Sequence, residues 1–152
     1  MFTCKTRFHG QISYRPQDVL ELSTGLFGFN NETEFLLLEV PSSKPIVFVQ
    51  SVRSPNLCFI SLPVQIVDSD YQLELNGDDL QALGYSATSR PRLGRDVLCL
   101  ALLTIRAKEA THANLQAPLV IDIRTHRGIQ AMVVNRYSHR HPFLAPEGQL
   151  VC

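Results

Sequence analysis

The sequence predicts a mainly β protein: a compact, antiparallel, barrel-like single domain with one short helix. Three observations carry that expectation. Short runs rich in Val, Ile, Leu and Phe recur about every ten residues, separated by Pro, Ser, Asn and Gly, which is the spacing of a sandwich or barrel. One stretch alone has helical character. At 152 residues the chain is long enough to bury most of its apolar surface around one core, without disulfides or metals.

Taken in order, Thr33–Val40 is a strand that Pro41 stops, and Pro-Ser-Ser-Lys-Pro leads into a second at Ile46–Val52. Arg-Ser-Pro-Asn at 53–56 turns the chain into Leu57–Leu62, which Pro63 ends. Asn76–Gly84 is the helix: Leu80 and Leu83 share a face, Asp78 is the expected N-cap and Gly84 the expected residue just beyond the last turn. Tyr85–Arg95 is a polar connector. Asp96–Arg106 is apolar almost throughout, as expected of a central strand buried on both faces. Leu119–Thr125 and Gly128–Val134 flank Thr-His-Arg-Gly, a hairpin in which Gly128 is expected to supply a positive φ. The domain is expected to span 1–143, with 144–152 a flexible C-terminal tail.

Composition excludes several classes. With 45% hydrophobic and 18% charged residues and a mean hydropathy of +0.02, this is an ordinary soluble globular chain. Its longest purely apolar run, Val97–Leu103, is far short of the roughly 20 residues a membrane helix needs. The first residues, Met-Phe-Thr-Cys-Lys-Thr-Arg, lack an apolar signal region, so a cytoplasmic location is expected. Cys4, Cys58, Cys99 and Cys152 form no Cys-x-x-Cys pair, and Cys58 and Cys99 lie in apolar runs where a thiol serves as a small buried hydrophobe.

Charge is zero overall but unevenly spread. Asp68, Asp70, Glu74, Asp78 and Asp79 fall within one stretch without a base, whereas 124–146 holds four arginines and three histidines without an acid. Such blocks are solvated faces, or they suit a partner of opposite sign.

The chemical motifs are weak. Gly25-Leu-Phe-Gly28 has neither the lysine nor the following helix of a phosphate loop, and its glycines fit a turn with Leu26, Phe27 and Phe29 packed around it. His139 and His141 would share a face of a strand, so a metal-dependent enzyme stays open, but no carboxylate or cysteine is nearby in sequence. No serine sits in a nucleophile elbow, and a neutral domain whose arginine-rich end has a single tyrosine argues against direct nucleic-acid binding. No cofactor is expected. What remains is a small β domain that works through its surfaces.

Four stretches read together resemble the flagellar assembly factor FliW family of bacteria. Gly25-Leu-Phe-Gly-Phe29 resembles the family's Gly-Leu-Pro-Gly-Phe, with Phe27 in the proline's place. Val49-Gln-Ser-Val52, then Pro55 and Leu57-Cys-Phe-Ile60, resemble its Leu-Gln-Ser strand, turn and apolar strand. Ala113-Asn-Leu-Gln-Ala-Pro-Leu-Val-Ile121 is similar to its Ala-Asn-Leu-x-Ala-Pro-Ile-Val-Ile block. Tyr137-Ser-His-Arg-His-Pro-Phe143 is similar to its Tyr-Ser-x-Arg-His-Pro ending.

The resemblance implies a barrel-like fold and a non-enzymatic protein with two exchangeable partners, flagellin and the translational regulator CsrA. Free flagellin would occupy the factor; once flagellin is exported, the factor would bind CsrA away from its RNA surface and relieve repression. Typical members are strongly acidic and this chain is neutral, so a flagellin chaperone without regulator binding is the alternative. Phe29, Gln50, Asn114, Arg140 and His141 are the residues expected at exposed functional positions, with Asp68, Asp70, Asp78 and Asp79 as an electrostatic patch. The competing reading of the motif positions is structural: Gly25 and Gly28 for turn geometry, Asn114 for its own loop, and Pro118 for strand entry.

Overall fold

The computed structural model describes residues 1–105, 108–133 and 137–143. In chain order its elements are β1 (Phe2–Thr6), β2 (Gly10–Tyr14), β3 (Leu20–Leu22), β4 (Glu34–Leu38), β5 (Val47–Ser51) and β6 (Cys58–Pro63). Then come α1 (Val64–Val67), α2 (Gly77–Ala82), β7 (Val97–Thr104), β8 (His112–Asp122), β9 (Arg127–Gln130) and β10 (His141–Pro142).

Among the described residues seven strands, β3 to β9, pair in sequence order, and β8–β9 together with β9–β3 close the sheet into a barrel. Every barrel pairing is antiparallel except β3–β9, where Glu21 and Leu22 run parallel to Arg127 and Gly128. Closure leaves the barrel strands without a free edge. β10 pairs with the far end of β8, and β1–β2 form a separate hairpin.

The barrel interior is apolar: Leu20 and Leu22 from β3, Phe35 from β4, Val47 and Val49 from β5, Leu100 from β7, and Leu119 and Ile121 from β8. Burying one such side chain contributes about 1.5–3 kcal/mol, so this cluster is the main source of stability. β9 contributes space instead of bulk. A Cβ on Gly128 would lie 2.9 Å from Leu22 Cδ2 and 3.0 Å from Leu20 Cδ1. The expected role of Gly128 is thereby corrected: it makes room inside the barrel, and the positive φ of the β8–β9 turn is taken by His126, at 58°.

Two covers lie on the outside of the barrel. The segment from α1 through Tyr85 packs Val64, Tyr71 and Leu83 against Val97, Cys99, Ala113, Leu115, Val120 and Ile129 of β7, β8 and β9. The β1–β2 hairpin lies on the other side: buried Cys4 places its Sγ 3.8 Å from the Ser51 carbonyl, and the His9 ring stands 4.5 Å from Phe48 of β5.

Other expectations are sharpened or corrected. The described residues hold two short helices where one was expected, because α1 adds a single turn directly after Pro63. In α2 the N-cap is Asn76, whose Oδ1 accepts the Asp79 N–H at 2.7 Å, not Asp78. Its C-terminal end closes as expected: Gly84 has φ 89° and donates to Gln81 O, while Tyr85 donates to Leu80 O. β8 begins at His112, seven residues before the strand expected at Leu119, and ends at Asp122. The tail expected at 144–152 lies outside the described residues. No described helix is long and apolar enough to cross a membrane.

Candidate protein-binding surfaces

Gly25 follows β3 at φ 67°, in the left-handed region that suits glycine, and donates to Leu22 O at 3.0 Å. A Cβ there would sit 2.5 Å from the Phe29 carbonyl, so only glycine lets the turn fold back. Leu26 and Phe29 then exchange backbone hydrogen bonds. Leu26 is buried as expected, but Phe27 and Phe29 are 52% and 41% exposed, which corrects the expectation that both rings pack around the turn. Phe29 rests its ring edge-on against Phe59, with centroids 5.3 Å apart.

Phe27 is fixed through its backbone by a residue the sequence reading missed. Its N–H donates to Gln130 Oε1 at 2.7 Å, and Gln130 Nε2 donates to Ala117 O at 3.1 Å. Gln130 thus ties the Gly-Leu-Phe-Gly turn to the Ala-Asn-Leu block. Neither its type nor its spacing marks it in the sequence.

Gln50 was expected at an exposed position, and the structure corrects this: it is fully buried. Its Nε2 points at the carbonyls of Ser54, Pro55 and Leu57, so it organises the β5–β6 turn. The neighbouring Ser51 and Ser54 hydroxyls donate to Glu32, and these two hydrogen bonds hold the Glu32 carboxyl below its usual range.

The Ala-Asn-Leu block makes a large bulge. Leu100 faces Leu119 and Leu102 faces Asn114, so four residues of β8, Leu115 to Pro118, stand opposite Ala101 alone. Asn114 Oδ1 takes up the backbone donors this leaves over, Gln116 N at 3.1 Å and Ala117 N at 2.9 Å, and Pro118 has no N–H to satisfy. Asn114 therefore supports its own strand, the structural alternative of the two readings.

The Tyr-Ser-His-Arg-His-Pro segment closes on that bulge. Leu115 N donates to Ser138 O, the Arg140 N–H donates to Ser138 Oγ, and His141 pairs with Ala113. Tyr71 donates its buried hydroxyl to Leu115 O at 2.7 Å, and burial pushes that hydroxyl's pKa well up. The Tyr71 and Tyr137 rings pack at a tilt of 31° with centroids 4.2 Å apart, while Tyr137 Oη accepts the Gln72 N–H. Asn114, Arg140 and His141 are so brought to the stretch of β8 that Tyr71 bonds, and Asp68 and Asp70 precede Tyr71 in the chain. Asp78 and Asp79 stand apart on the first turn of α2, Phe29 lies in the turn after β3, and Gln50 lies within β5. Arg140, Asp70 and Asp78 are exposed; His141, Asp68 and Asp79 are half-buried. Partial burial, then the adjacent Asp78, raises the Asp79 carboxyl above its ordinary value.

As for chemistry, His139 is exposed and His141 lies on β10; among the described residues no three His, Cys, Asp or Glu side chains gather as metal ligands. Cys99 is buried between β7 neighbours and its thiol pKa is pushed up by desolvation, which makes it a poor nucleophile.

Fold and site together define a small closed barrel whose motif residues build its turns and bulge and whose charged groups lie on its covers. Residues 3–144 match the family model described as FliW protein. Similar proteins include the flagellar assembly factors FliW of Geobacillus kaustophilus (31% identical, over 90% of this chain and 91% of the relative) and of Bacillus subtilis (27% identical, over 90% and 93%). A crystal structure of the flagellar assembly factor FliW superposes with a TM-score of 0.82 at 28% identity, covering 96% of this chain and 99% of that one. The chain belongs to the FliW family of flagellar assembly factors.

Proposed function

We propose that this chain is a cytoplasmic, non-enzymatic factor that binds flagellin and, by exchange of partners, antagonises the translational regulator CsrA. Family membership supports the flagellar role, and the acidic cover is the observation that favours a basic partner. Tyr71, packed against Tyr137 and bonded to Leu115 O, anchors this segment on the barrel wall, and Asp68 Oδ1 accepts the Asp70 N–H at 3.0 Å. Charges held in advance lose little freedom on binding, so such a patch is suited to steer and orient a positively charged surface. Exchange between the partners is then mass action, set by their concentrations and affinities. Acting away from the regulator's RNA surface requires a coupling free energy between two sites on the regulator.

Co-purification of the untagged chain with flagellin and with CsrA at physiological salt is the test. Binding to both is expected, each displacing the other; binding to neither overturns the reading. The net charge of zero favours the narrower alternative, a flagellin chaperone that leaves the regulator alone. Changing both Asp78 and Asp79 to lysine separates the two. Weakened regulator binding with flagellin binding intact supports the exchange, and no regulator binding by the unaltered chain supports the chaperone.

A further inference from the structure

We propose that the groove beneath the tip of the β1–β2 hairpin docks an acidic protein segment that inserts one large apolar side chain. The hairpin tip does not lie flat on the barrel. It leaves a groove of about 350 Å³ lined by Phe8, His9, Val40, Phe48, Cys58 and Ile60. That is at the lower end of ligand pockets, about 300–1,000 Å³, and suits a side chain better than a cofactor. Phe8 is 60% exposed, so the groove has an apolar lip in contact with water. His9 adds a buried Nε2 that has no hydrogen-bond partner among the described residues.

Charge selects the occupant. The first 17 residues carry Lys5, Arg7 and Arg15 and no acid, and of these Arg15 is paired with Asp18 at 3.0 Å, which leaves Lys5 and Arg7 for the rim. The Arg7 guanidinium lies 5.2 Å from the centre of the Phe8 ring, at the lip itself. The Arg7 N–H donates to Pro55 O at 2.9 Å, which sets the tip against the turn that carries exposed Arg53. Exposed Lys44 follows Ser43, which lines pocket and rim alike. The acids nearby are Glu39, next to Val40, and Glu32, which is engaged by Ser51 and Ser54. An apolar floor with a basic rim complements an acidic segment bearing a hydrophobic anchor. A nucleic acid would meet the same rim but has no side chain for the floor. The two covers thus differ in the sign of their charge, and this site is independent of the acidic patch invoked above.

Fluorescence anisotropy tests this with the full chain and a labelled peptide in which glutamates flank a Leu-Phe pair. A version with lysine for glutamate and a version with serine for Leu-Phe are the controls. Saturable binding of the glutamate peptide is expected, weakened about tenfold or more by Phe8→Ser, by Arg7→Glu and by either control change. Absence of binding, or binding indifferent to both protein variants, overturns the proposal. Equal or tighter binding of a single-stranded RNA oligonucleotide would reassign the rim to nucleic acid. A concentration-dependent dimer lost in Phe8→Ser would reassign the groove to a second copy of the chain. Phe8 and Arg7 are both exposed, and Arg7→Glu keeps the test decisive if Phe8→Ser lowers solubility.

Discussion

The hairpin cover and the acidic cover lie on the same barrel but are attached to it in different ways. The acidic cover buries Val64, Tyr71, Leu80 and Leu83 and adds side-chain hydrogen bonds at both ends, Tyr71 to Leu115 O and Tyr85 to Asp122. The hairpin buries Cys4, makes long thiol contacts to Ser51 and Val52, holds one backbone bond to Pro55, and leaves Phe2 and Phe8 in water. Apolar area and satisfied polar groups make the first cover part of the core; the second is a lightly attached flap. Local opening should follow that order, with hairpin amides exchanging faster than those of the acidic cover.

Tyr71→Ala is the strongest way to break the contrast. It empties a site between β7 and β8 and leaves Leu115 O unbonded, so roughly 3–5 kcal/mol of unfolding free energy should be lost. Tyr71→Phe keeps the ring and should cost about 1–3 kcal/mol, the penalty of an orphaned buried carbonyl. Urea unfolding reads both. If Tyr71→Ala were near neutral, the acidic cover would not be part of the core. Asn114→Ala follows, at roughly 2 kcal/mol, because the N–H groups of Gln116 and Ala117 lose their acceptor inside the bulge.

The bulge also marks where sequence reading stops working. β4 to β7 were legible because each is a continuous or alternating apolar run between turn residues, and closure of the barrel only required them to pair in order. The first half of β8 was not. Its residues do alternate, half-buried His112, Asn114 and Gln116 with buried Ala113, Leu115 and Ala117, but the apolar members are mostly small and Pro118 breaks the run just where the bulge interrupts the ladder. β1, β2 and β3 were missed for another reason: they are short, and on the hairpin Cys4 is the one described apolar residue that is buried. The site was legible as motifs but not as roles. Gln50 and Asn114 look like polar side chains awaiting a partner, and both turn inward to satisfy nearby backbone groups. A local pattern cannot say which way a lone amide faces. Gln130 acts across 103 residues of chain, so no local spacing could reveal it.

The anchor at Asp122 predicts a pH response where the acidic cover is attached. Burial alone would raise this carboxyl, but hydrogen bonds from Tyr85 and from Thr125 N and Oγ1 outweigh it and hold the value below normal. A depressed carboxylate stabilises the fold above its unfolded value, about 3.9, and that contribution disappears as pH falls through the lower folded value. Tyr85 works in the opposite range: burial, then Asp122, push its hydroxyl up to about 12. Its contribution is complete below the unfolded value of about 10 and is lost as pH rises from there through the folded value. Asp122→Asn should flatten the acid limb of a stability–pH curve, and Tyr85→Phe the alkaline limb. Identical curves for all three proteins would mean that the pair does not hold the cover.

The smallest effect is expected at the hairpin, and it is the most discriminating. Phe8 is exposed and lines the groove, so Phe8→Ser should shift unfolding by no more than about 0.5 kcal/mol. If the hairpin were a second piece of core, the loss would approach the roughly 3 kcal/mol of a buried aromatic side chain. A residue that is silent in stability yet required for peptide capture has a surface role. One that lowers both in proportion is part of the fold. Measuring the urea midpoint and the anisotropy titration on the same Phe8→Ser preparation decides which description the N-terminal flap deserves.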